Sequence, residues 1–113
     1  MHELTIATEI IRLLEAHRQE RGFVRVNVVR LRAGALAGIQ PHALQFAFEI
    51  AREGSCAAQA RLQIDQEPMT LRCRQCNTVR PAEAGTQTCQ HCGSNELALE
   101  GQDGLDVVSI EVD

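Results

Sequence analysis

Between Pro68 and Asn95 the chain has few large apolar side chains, essentially Leu71 and Val79, yet it carries four of its five cysteines there, in the pairs CRQC and CQHC. A segment this poor in apolar surface cannot offset the entropy of its own ordering, about 1–2 kcal/mol per residue for the backbone alone. It needs a staple. Two residues separate Cys73 from Cys76 and Cys89 from Cys92, and the 12 residues between the pairs suffice to fold two knuckles onto one tetrahedral ion. Four thiolates suit zinc, whose closed sites contribute folding free energy, roughly 10–16 kcal/mol apparent in small zinc peptides. The competing readings are a redox dithiol, which needs only one C-x-x-C at the head of a helix, and an iron site, which suits a less polar segment.

The remainder must supply the hydrophobic core. Leu4, Ala7, Ile11 and Leu14 recur on one helical face, widened by Ile6, Ile10 and Leu13, with Thr8, Glu9, Arg12 and Glu15 opposite. The helix should stop near Arg21, because Gly22 can adopt the left-handed conformation that closes it. In FVRVNVVRLR, Val24, Val26 and Val28 alternate with Arg25 and Asn27, then Val29 and Leu31 alternate out of phase, so a strand with a bulge at Val28 and Val29 is expected. AGALAGIQ reads as a loop, and Pro41 suits the start of a second helix that buries Leu44, Ala47, Phe48 and Ala51 and ends at Gly54. ARLQI reads as a second strand, and NELALEGQDGLDVVSIEVD as two strands around an Asp103-Gly104 turn, both completing the first sheet.

The expected architecture is therefore α+β: two helices packed on a small, mainly antiparallel sheet, with an inserted zinc-ribbon-like domain. Residues 1–68 with 96–113 form the first lobe and residues 69–95 the second.

Charge narrows the partners. The formal net charge is -4, every cation is arginine, and the only aromatics are three phenylalanines, unlike the basic, aromatic-studded surfaces that nucleic acids select. Within the cysteine segment Arg72, Arg74 and Arg80 face only Glu83, and a zinc with four thiolates, at about -2, brings that lobe near neutral. No apolar run is long enough for a membrane span and the start lacks a signal-peptide pattern. With cysteines arranged for metal, a cytoplasmic protein is expected. No nucleophile–base arrangement, phosphate-cradling loop or paired carboxylates emerge, so no enzymatic reaction is expected.

The chain begins MHEL, and His2 admits two readings. It is a solvated residue, with Glu3 favoured by the positive end of the helix. Or the Met1 amine, the deprotonated His2 amide and an imidazole nitrogen form two fused chelate rings in one plane, a geometry that suits nickel(II) or copper(II) and not zinc. Glu3 then offers a further donor. The other histidines are less informative: His91 is a spacer inside the second knuckle or a substitute ligand in acid, His17 suits a helix C-terminus, and His42 is a surface residue. Cys56 reads as a partly buried filler and not a nucleophile.

Taken together, MHELTIATEI, FEIAREGS, the paired CRQC and CQHC, and the closing CGSNELALEGQDGLDVVSIEVD resemble the HypA/HybF family of hydrogenase maturation factors over essentially the whole chain. The resemblance implies a nickel metallochaperone with His2 as principal nickel ligand, Met1 and Glu3 beside it, and Cys73, Cys76, Cys89 and Cys92 on a structural zinc. It also implies as partners the GTPase HypB and a hydrogenase large subunit, and is compatible with a homodimer. Two positions depart from the family pattern: Gln90, where proline commonly follows the third cysteine, and Cys56. A zinc-ribbon adaptor for protein or nucleic acid is the alternative, with a thiol–disulfide enzyme behind it.

Overall fold

A computed structural model describes residues 2–113; Met1 lies outside the described residues. In chain order the elements are α1 (His2–Arg21), β1 (Val26–Ala33), α2 (Pro41–Ala51), β2 (Arg61–Gln66), β3 (Thr70–Cys73), β4 (Val79–Pro81), β5 (Leu97–Glu100) and β6 (Leu105–Val112). They form two three-stranded sheets, ordered β2-β1-β6 and β4-β3-β5. Three of the four strand pairs are antiparallel; β1 with β2 is the parallel one. That exception follows from connectivity, since a parallel pair needs a long crossover, and α2 supplies it.

The core lies between the helices and one face of the first sheet. On α1 the buried stripe is Ala7, Ile10 and Leu14, while Leu4 and Leu13 sit at its exposed margins. The stripe is therefore rotated from the expected Leu4–Ala7–Ile11–Leu14 line toward Ile10. Gly22 closes the helix at φ +75, its N–H donating to Arg18 O at 2.8 Å. On α2, Leu44, Ala47 and Phe48 are buried, and the helix ends at Ala51, three residues before Gly54, where the chain turns tightly. Val29, Leu31 and Ala33 of β1 alternate into this core with Leu62 of β2.

Bulges set the register. Against β6, β1 skips Asn27 between Val26 and Val28, and β6 skips Val108 between Val107 and Ser109. The first lies one residue before the expected bulge and leaves Val28 and Val29 both buried on opposite faces. On the sheet face away from the helices Arg30 pairs with Glu111, and Arg32 with Asp106 and Glu67. Each exposed pair adds little energy, but a slipped register would break them all.

β5 departs from expectation. It does not join the first sheet but pairs antiparallel with β3, Leu71 opposite Leu99 and Cys73 opposite Leu97. The outgoing and returning arms of the cysteine segment thus satisfy each other's backbone groups, and only β6 closes the first sheet. The arms are tied to the first sheet where Gly34 N–H donates to Gly104 O at 2.9 Å and Leu36 N–H to Gln102 O at 2.8 Å. Gly34 is required there: a Cβ would stand 2.2 Å from the Gln102 carbonyl oxygen.

Candidate metal sites

The four sulfurs of Cys73, Cys76, Cys89 and Cys92 lie within 4.8 Å of one another. They are brought there by the same turn used twice. In the first knuckle, Cys73 N–H donates to Thr78 O (3.0 Å) and Asn77 N–H to Cys73 O (2.8 Å); in the second, Cys89 N–H donates to Ser94 O (2.7 Å) and Gly93 N–H to Cys89 O (2.8 Å). Each turn needs a left-handed residue after its second cysteine, which Asn77 supplies at φ +63 and Gly93 at φ +80. Asparagine and glycine are the residues that adopt this conformation at least cost. The sequence reading missed these four supporting residues. Their signal was legible in the repeated pattern C-x-x-C, then Asn or Gly, then Thr or Ser.

The donor set fits zinc. A tetrahedron with metal–sulfur bonds of about 2.3 Å has edges of about 3.8 Å. Cys73 Sγ lies 3.6 Å from Cys92 Sγ, and Cys76 Sγ 3.6 Å from Cys89 Sγ. The surroundings favour thiolates at two positions. The Thr78 hydroxyl, 3.1 Å from Cys76 Sγ, and then the Thr78 amide bring the Cys76 thiol down to about 6. The Cys92 and His91 amides lower Cys89. At Cys92 the Ser94 amide also pulls downward, but desolvation and the three other sulfurs outweigh it and drive the thiol up to about 12. Four clustered sulfurs cannot all ionise on their own; a dication at their centre removes the conflict.

His91 contributes its backbone, whose N–H points at Cys89 Sγ from 3.4 Å, while its side chain is exposed. In the first lobe, His2 and Glu3 occupy the first turn of α1, with His2 Nδ1 3.8 Å from Glu3 Oε2. The imidazole is 61% exposed and the carboxylate 16%, so the acid is held against the helix and the base reaches solvent. The Met1 part of the expected chelate falls outside the described residues.

His42 is exposed at the start of α2, and His17 lies on the exposed side of α1. Cys56 is half-buried, its thiol raised to about 11 by burial and then by the Glu15 carboxylate, which keeps it protonated and unreactive at neutral pH. Its backbone N–H donates to Glu15 Oε1 at 2.6 Å, and this bond is the first cause of Glu15's lowered pKa. Glu15→Gln should therefore cost about 1 kcal/mol at neutral pH. A depressed carboxyl stabilises fully above its unfolded value near 4.5 and loses that contribution as pH falls through the lower folded value. The gap between wild type and variant should accordingly close in that window, read by denaturant titration at the helical circular-dichroism minimum. A gap independent of pH would count against the bond.

Among the described residues no helix is long and apolar enough to cross a membrane. A sequence model for the family described as hydrogenase/urease nickel incorporation, metallochaperone, HypA matches residues 1–112. The chain is 35% identical over 104 residues to the hydrogenase maturation factor HypA of Moorella thermoacetica, covering 91% of this chain and 92% of that protein. It is 37% identical over 113 residues to HypA of Azotobacter vinelandii, covering 100% of each. A solution structure of HypA protein aligns over 99% of this chain and 96% of its own, with TM-score 0.69 and 25% identity. The solution structure of the nickel metallochaperone HypA from Helicobacter pylori shares the fold, with TM-score 0.63, 24% identity and coverage of 97% and 96%. Matched from end to end, with its cysteines gathered into one tetrahedral donor set, the chain belongs to the HypA family of nickel-incorporating hydrogenase maturation factors.

Proposed function

We propose that the protein binds nickel(II) at the start of α1 and delivers it during maturation of a [NiFe]-hydrogenase, while the four cysteines hold a structural zinc. His2 is the principal nickel ligand through its imidazole and its amide nitrogen; the Met1 amine closes the first chelate ring, and Glu3 supplies a negative neighbour. The observation that carries this reading is an imidazole exposed on the first helical turn beside a shielded carboxylate. The setting also explains release. Amide N–H groups in a first helical turn have no intrahelical acceptor, so that of His2 can give up its proton to a metal without unwinding α1. The helix dipole opposes a cation there, and Glu3 offsets only part of that field, which leaves a site that holds its cargo weakly enough to hand it on.

The domain division follows this split of metals: residues 1–68 with 96–113 carry nickel, and residues 69–95 carry zinc. The zinc lobe, near neutral overall, serves as a shaped docking element and not as a nucleic-acid binder. The receiving partners are a HypB-type GTPase and the hydrogenase large subunit, met in the cytoplasm.

The test is a nickel titration followed by absorption spectroscopy on protein with its native first residue. His2→Ala, or residues placed before Met1, should abolish nickel binding while zinc stays at one ion per chain. Nickel binding should also weaken as pH falls, because the ligands release protons when they bind. Stoichiometric nickel retained by the alanine variant would exclude the site.

A further inference from the structure

The helices do not cover the first sheet evenly. The buried core joins them to β1 and β2, while Leu105, Val107, Ile110 and Val112 of β6 are half-buried or exposed. Those four share the helix side of the sheet, because the skip at Val108 keeps them opposite Ala33, Leu31, Val29 and Val26 of the buried face of β1. Without the skip, half of them would turn to the other face. What remains between α1 and β6 is an apolar trough of two adjoining cavities, about 430 and 370 Å³, with Leu13 and Val107 as shared walls. Apolar surface gathered in one concavity marks a binding groove, and ligand sites commonly occupy roughly 300–1,000 Å³.

The trough is also polarised. Its larger cavity carries Arg21, which makes no ion pair or hydrogen bond among the described residues, with the exposed His17 imidazole one helical turn before it. Its smaller cavity carries Glu9 and Asp106, both more than half exposed. An anionic head therefore fits at Arg21 and is turned away from the other end. A guanidinium holds a carboxylate through two parallel hydrogen bonds, and from Arg21 back to Leu13 is about 12 Å along α1, to Ile6 about 22 Å.

We infer that the trough binds a medium-chain monocarboxylate, its head on Arg21 and its alkyl chain, about eight to twelve carbons, laid along Leu13, Val107 and Ile110. The carbonyl end of α1 opposes an anion there, so the head group depends on the fixed charge of Arg21. Neither His2 nor any of the four clustered cysteines lines the trough, and the inference does not rest on the nickel assignment.

The test is a titration of the zinc-loaded full chain with octanoate, decanoate and dodecanoate, each below its micelle-forming concentration, followed through the methyl resonances of Leu13, Val107 and Ile110. Those resonances should shift saturably, with a dissociation constant for decanoate on the order of 0.1 mM and roughly two- to fourfold tighter binding for each added methylene. Arg21→Gln should weaken decanoate about tenfold or more and leave the uncharged decanol unchanged. Leu13→Glu sets an acid on the wall shared by both cavities and should abolish binding of either. Circular dichroism and zinc content establish that both variants are folded. Phosphatidylglycerol vesicles form a second arm, since an anionic headgroup also fits Arg21. Decanoate that fails to saturate below about 1 mM, or that binds equally well to Arg21→Gln, would overturn the inference. So would a protein that adheres to the vesicles and ignores the free acid, because the trough would then be a membrane contact.

Discussion

Cys73→Ser, or stripping the metal with a chelator, is expected to unfold residues 70–100 while the first sheet and both helices persist. The reason lies in what that lobe can bury. Its only buried residues are Cys73 and Cys89; Leu71 and Leu97 are half-covered, and Val79 and Leu99 face solvent. Ordering some thirty residues costs tens of kcal/mol at about 1–2 kcal/mol each. The strand bonds of β3 with β4 and β5 and so little buried apolar surface leave the lobe short of what it needs, and a bound zinc adds roughly 10–16 kcal/mol toward it. Amide hydrogen exchange read residue by residue is the measurement. Protection should vanish across β3, β4 and β5 and survive in α1, β1, α2 and β2. If the knuckle amides stay protected in metal-free protein, the lobe is held by something other than its metal.

Phe48→Ala should be the most damaging single truncation in the first lobe, at about 3–5 kcal/mol. Phe48 is the largest of the fully buried side chains, 1% exposed, and sits where α2 meets α1 and the sheet. A domain of this size has only about 5–15 kcal/mol of stability, so the variant loses a large fraction of it. Phe46, two residues earlier and 63% exposed, is the control, and its alanine variant should stay within about 0.5 kcal/mol of wild type. Denaturant midpoints at the helical circular-dichroism minimum separate the two. Equal losses at both positions would mean that α2 is seated differently on the core.

Much of the metal chemistry was legible because it is written in short-range spacing. C-x-x-C closes a turn whatever surrounds it, and the Asn77 and Gly93 positions that complete each knuckle were on view in the same few residues. The helices were legible for the same reason: Gly22 and Pro41 mark real ends, and the apolar period marks a buried side. Where the reading went astray, the missing information was long-range. A period fixes a helical face to within about a residue, but only the sheet against which α1 packs could place Ile10 on the inside and leave Leu13 at the margin.

By itself, the amino-acid order determined where α1 ends and α2 begins, that four cysteines would be paired for one ion, and that an imidazole would stand at the head of α1. Those are consequences of local backbone preference and ligand spacing. Tertiary structure alone decided that β5 pairs with β3 and not with β1, that bulges fall at Asn27 and Val108, and that β6 is left as an open edge beside an apolar trough. An isolated strand offers identical hydrogen-bonding groups to either side. Its partner is chosen by which strands the rest of the chain carries alongside it.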